Sequence, residues 1–164
     1  MRFGPVAAAL SLVVAVQGSM GYAQQQVDPR AEALVADGQA ALAMGQTQDA
    51  IDAFEAALAV DPGYTQVYLE LAEAARADGL QGKAIHYYRA AQERDPTNLA
   101  AISGEGEALV EKGALAAARE NLERLQDLCG ETCVETVQLS AAIDRGPPVM
   151  TADMVDPAEG VTQN

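Results

Sequence analysis

The chain has 164 residues, with 10 Lys+Arg against 24 Asp+Glu and a formal net charge of −14. That length holds one ordinary domain or a short repeat array, and that charge argues against phosphate backbones and anionic membrane surfaces as partners. Ala, the best helix former, fills 34 positions, while Phe and Tyr together fill seven and Trp none. Such a composition favours helix over a sandwich or barrel.

Residues 1–23 have the form of an export signal. Arg2 gives a short positive start, Val6 to Val16 is an apolar run of eleven, and Gly21-Tyr22-Ala23 offers small residues at the cleavage positions. Eleven apolar residues fall short of the roughly 20 that span a bilayer, so no stable membrane anchor is expected after cleavage. The mature chain would begin at Gln24 and carry 9 Lys+Arg against 24 Asp+Glu, a charge of −15. A bacterial periplasm is the compartment that fits best. Residues 24–30 form a short linker.

A 34-residue period organises the middle of the chain. Gly45, Gly79 and Gly113 keep this step, as do Ala50, Ala84 and Ala118, and then Phe54, Tyr88 and Leu122. Ala57 and Ala91 follow in phase, Asp61-Pro62 recurs as Asp95-Pro96, and Gly38, Ala72 and Gly106 share one small-residue column. Each unit is expected to form two helices, the first ended by its glycine and the second by Asp-Pro. In unit 1 (31–64), Ala33 to Met44 makes the first helix, and Thr47 can cap the second, with Ala50, Ile51, Phe54 and Leu58 as its buried stripe. Unit 2 (65–98) repeats this over Val67–Asp78 and Lys83–Arg94. Unit 3 (99–130) does so over Leu99–Lys112 and Leu115–Leu128, with Leu125 where Ala is expected and Gly130 where Pro is expected.

Cys129 and Cys133 bracket Gly130-Glu131-Thr132. Gly130 should stop the third unit, and Thr132 can start a cap helix within 131–145 whose Val134, Val137, Leu139, Ala142 and Ile143 would cover that unit. Two Cys in an exported chain point to a disulfide stapling this cap. The alternative is a thiol–disulfide redox pair, although the spacing is one residue longer than Cys-x-x-Cys and no strands are evident. Haem attachment would need Cys-x-x-Cys-His, and two Cys with the single distant His86 leave a zinc site incomplete. From Gly146 to Asn164 three prolines and few bulky residues indicate a disordered tail.

The repeat pattern resembles the tetratricopeptide repeat (TPR) family over residues 31 to about 128. Unit 2 matches it best, through Tyr68, Leu71, Ala72, Ala84, Tyr88, Ala91 and Pro96. Unit 1 keeps Leu34, Gly38, Ala50, Phe54, Ala57 and Pro62, and unit 3 keeps Ile102, Gly106, Ala118 and Leu122, while Asp37 and Glu105 replace the family's Leu. The resemblance implies an all-α helical solenoid of three helix-turn-helix repeats with a C-terminal cap helix. It also implies a partner-binding groove at Val35, Gln39 and Leu42, at Leu69, Glu73 and Arg76, and at Ser103, Glu107 and Val110.

No phosphate loop, Gly-x-Ser-x-Gly or His–Glu metal motif occurs, and acidic pairs such as Glu70/Glu73 and Glu105/Glu107 are expected to be solvated. A non-enzymatic protein is therefore expected, without cofactor or metal. It would serve as a scaffold, interaction module or assembly adaptor, or as an accessory subunit of an envelope complex. With Arg76 as the one cation of the groove, a protein or peptide segment with apolar anchors and basic flanks fits better than a terminal carboxylate.

Overall fold

The computed structural model describes residues 27–148, which form seven helices and no strand. The export signal falls outside the described residues, as does the tail from residue 149 onward. The helices are α1 (Pro29–Ala43), α2 (Thr47–Val60), α3 (Gln66–Ala77), α4 (Gln81–Arg94), α5 (Leu99–Glu111), α6 (Leu115–Cys129) and α7 (Val134–Arg145). Among the described residues no helix is long and apolar enough to cross a membrane.

Glycine and Asp-Pro set the turns. Gly45, Gly79 and Gly113 all take positive φ, +74°, +74° and +83°, a region that costs other L-residues about 1 kcal/mol or more. At Gly79 the amide donates to the Arg76 carbonyl and Leu80 to that of Ala75, the paired bonds that close a helix on a left-handed residue. The same two bonds recur at Gly45 and Gly113. Asp61 and Asp95 end the second helices in extended conformation, and their carboxylates accept the amides of Gly63 and Thr97. Two expected caps differ. Gln46 rather than Thr47 precedes α2, and Cys133 rather than Thr132 precedes α7, in both cases without a side-chain cap bond.

Each helix pairs with its sequence neighbour, and first helices also meet across units, α3 with α5 and α5 with α7. Second helices touch across units only through long side chains, Lys83 and Tyr87 to Glu55 and Arg124 to Gln92, and α1, α3, α5 and α7 line the inner side of the array. Helix α3 is buried on two faces. Its Val67, Leu71 and Ala74 join the core of unit 1, while Leu69, Ala72 and Ala75 join the core that runs on to α7.

The small-residue column marks close approach, but not always between the two helices of a unit. A Cβ at Gly38 would sit 2.5 Å from the Phe54 ring of its own unit, whereas one at Gly106 would sit 2.5 Å from Leu139 of α7. Gly104, which the repeat pattern did not single out, receives the Tyr88 ring of the preceding unit. Filling any of these spaces against a buried side chain costs about 1–3 kcal/mol. The cap helix covers unit 3 through Leu139 and Ala142, both buried, and the half-buried Ile143. Val134 and Val137 instead point away and stay exposed, because α7 turns a different side to α5 and α6 than the apolar spacing suggested.

Glu105 is not solvated as expected. It stands in the column of Leu71 and Leu139, is 6% exposed, and accepts from Arg89 Nε at 2.6 Å and Gln92 Nε2 at 2.7 Å. Arg124 extends this network by donating to Gln92 and to the Pro96 carbonyl. A buried carboxylate is costly when a partner is removed, yet replaceable by a well-packed apolar group. Arg89→Ala should therefore destabilise the fold by about 1–3 kcal/mol in urea unfolding. Glu105→Leu, which restores the column's residue, should stay within about 1 kcal/mol of the parent.

Candidate functional site

The inner face is built from the first helices, and the repeat places its side chains in register across units. The nine expected groove residues do not all reach that surface. Val35, Leu69, Ser103 and Val110 are buried. Leu42, Arg76 and Glu107 are half-buried, and Gln39 and Glu73 are exposed. Ser103 turns inward because α7 lies over it, its hydroxyl donating to the Glu135 carbonyl at 3.3 Å.

What remains open is a polar strip centred on Arg76. Its guanidinium pairs with Glu107 at 2.9 Å and Glu111 at 2.6 Å, both carboxylates coming from the next unit. The spacing explains the pairing, since Glu107 and Glu111 are one turn apart on α5 and face the end of α3. Sequence reasoning named Glu107 but missed Glu111, although projecting the 34-residue register onto helix faces would have found it. Burial works against the charge on Arg76, but Glu111 and Tyr88 outweigh it and raise its pKa. Tyr88 is itself pushed up to about 12, first by burial.

The strip is therefore acidic in effect. Glu73 borders the crevices around Arg76 and Tyr88, where desolvation, and next the nearby Glu70, push its carboxyl above the usual range. Gln39 reaches across to donate to Glu70 at 3.0 Å, extending the strip into unit 1. A cavity of about 500 Å³ lies between Arg76, Glu107, Glu111 and the end of α7, at Arg145 and Pro147. On the outer side Glu55 meets Lys83 at 2.9 Å and accepts from Tyr87 at 2.7 Å. These bonds, Lys83 foremost, hold its carboxyl below the usual range. His86 is exposed beside Tyr87, 5.6 Å between ring centres. Cys129 and Cys133 lie at disulfide distance, their Cα atoms 5.9 Å apart across the α6–α7 turn.

The two glutamates predict opposite pH responses. A depressed carboxyl stabilises the fold at neutral pH and loses that contribution as acid protonates it, whereas a raised one opposes folding once it ionises. Both groups face solvent, which screens the effects. At pH 7, Glu55→Gln should lower the unfolding free energy and Glu73→Gln should raise it, each by up to about 0.5 kcal/mol. Both differences should shrink as the pH falls to about 3, a trend that thermal unfolding across pH will check.

Residues 35–98 match the family model described as tetratricopeptide repeat. No curated protein sequence matches the chain. Among solved structures, the Sgt2 TPR domain from Aspergillus fumigatus is similar at 27% identity and TM-score 0.64, covering 82% of this chain and 93% of that one. The type III secretion chaperone SycD of Yersinia enterocolitica, solved with a peptide of the translocator YopD, is 26% identical at TM-score 0.60. That match covers 70% of this chain and 86% of SycD. The TPR2B domain of yeast Sti1, from a complex with pHsp70, shares the fold at 20% identity and TM-score 0.64, over 72% of this chain and 98% of that one. The 34-residue period, the paired helices and the family match over residues 35–98 agree on an all-α helical solenoid of tetratricopeptide repeats.

Proposed function

We propose that this protein is an exported, non-enzymatic interaction module whose inner face holds a segment of another protein. The observation that carries the reading is the neutralised Arg76, bound by Glu107 and Glu111. With Arg76 taken up, that part of the strip is unsuited to gripping a carboxylate, and Glu70, Glu73 and Glu107 favour Lys or Arg beside the apolar anchors of a bound segment. Similarity to SycD, whose structure holds a translocator peptide, supports a peptide or protein partner. The signal-like residues 1–23 support export to a periplasm and a role as an assembly adaptor there.

Cys129 and Cys133 are assigned a structural disulfide. They sit at the end of α6 and the N-cap of α7, so a bond would fix the turn that sets α7 over Ser103. The Cys129→Ser, Cys133→Ser double variant should unfold more readily yet keep its partner. Loss of binding with unchanged stability would favour a redox role instead.

The reading is tested on protein recovered from its own cells. Fractionation and N-terminal sequencing should give a periplasmic chain beginning at Gln24; an intact Met1 in the cytoplasm would overturn export. Affinity capture from the same extract should yield a partner that Glu73→Arg weakens by about tenfold, or about 1.4 kcal/mol. A partner held equally well by Glu73→Arg would place binding elsewhere.

A further inference from the structure

Helix α7 departs from the pattern of the other first helices. Val35, Leu69, Ser103 and Val137 share one column of the repeat, and the first three are 6%, 7% and 4% exposed. Val137 is 53% exposed, and Val134, one turn earlier, is 64% exposed. In the Val134 column the other units carry Glu32, Gln66 and Ala100, and in the column of Ala141 they carry Gln39, Glu73 and Glu107. So α7 is more apolar than its counterparts along the side where it has least cover. Ser103 is covered by α7, but among the described residues nothing follows α7 to cover Val137.

Beside Val137, between the last turns of α6 and the outer side of α7, lies a hollow of about 400 Å³. Ser140 lines it and stands in the small-residue column of Gly38, the position over which unit 1 lays the Phe54 ring of its second helix. Its charged members, Glu131 and Asp144, are both carboxylates. We propose that α7 is the first helix of an incomplete fourth repeat and that the second helix is supplied by a partner protein. The occupant is an amphipathic helix that sets a bulky apolar residue over Ser140, runs an apolar stripe along Val137 and Ala141, and places Lys or Arg against Glu131 and Asp144.

Charge selects this occupant over its rivals. A second copy docked symmetrically on this face would bring Glu131 and Asp144 against their own equivalents. Residues 149–164 carry Asp153, Asp156 and Glu159, no Lys or Arg, and Pro157 within the span a second helix would need.

The test titrates the full chain, by calorimetry and amide chemical shifts, with a designed helical peptide of about 16 residues. The peptide bears a Leu stripe and flanking Lys, and its counterpart bears Glu. The Lys peptide should perturb α7 and bind about tenfold more tightly than the Glu peptide. Val134→Gln with Val137→Gln should weaken it about tenfold with helicity unchanged, while Glu73→Arg on the inner face should leave it intact. Equal binding of the two peptides, a footprint away from α7, or insensitivity to the Val changes would overturn the proposal. So would a dimer that the Val changes dissociate, or residues 149–164 losing hydrogen-exchange protection in the free double variant.

Discussion

The Phe54 ring occupies the space that a side chain at residue 38 would need, and the same economy recurs wherever two helices of this array cross closely. Gly104 yields to Tyr88 and Gly106 to Leu139, while Ala50, Ala84 and Ala118 are wholly buried. With so few aromatics, the chain achieves a close-packed interior by letting small residues admit large ones. Every later feature depends on this packing. It fixes the angle between successive first helices, brings Arg76 of one unit to Glu107 and Glu111 of the next, and seats α7 against α5.

Because units contact only their neighbours, the solenoid has ends, and an end is where a repeat protein must choose what to expose. At the start, α1 shields its apolar side against α2 and leaves Glu32, Ala36 and Ala40 exposed. At the other end, α7 buries Leu139 and Ala142 but leaves Val134 and Val137 to solvent. The two ends therefore differ in chemistry, one presenting small alanines among charged side chains, the other bulky valines flanked by carboxylates. The inner face between them is a third environment, polar and internally paired. In a protein with a formal charge of −14, several of the cations hold units together. Arg76 and Arg89 join first helices to neighbouring units, and Arg124 ties α6 to the turn at Pro96.

The architecture was legible in the sequence because it rests on periodicity and on glycine. The turns at Gly45, Gly79 and Gly113, the Asp-Pro stops and the end of α6 at Gly130 all fall where local backbone chemistry requires them. Side-chain direction was less legible. Glu105 resembles any other acid of an acidic helix, and only the packing of α4 against α5 shows that it is buried and held by Arg89. Val134 and Val137 have the spacing of a core stripe, yet the rotation of α7 turns them outward. Four of the nine groove positions are buried because the family's columns describe an open inner face, and here neighbouring helices close over them. Arg76 was correctly seen as the strip's cation, but its neutralisation depends on a contact 35 residues away.

The central claim is that the inner face, with Arg76 already satisfied, selects positive rather than negative segments. It is tested most directly by amide chemical-shift titration of the full chain with two extended peptides sharing Leu and Val anchors, one flanked by Lys and the other by Glu. Saturable shifts at Gln39, Glu73 and Glu107 with the Lys peptide, together with about tenfold weaker binding of the Glu peptide, are the predicted result. Tighter binding of the Glu peptide, with Arg76 released from Glu107 and Glu111, would contradict the account.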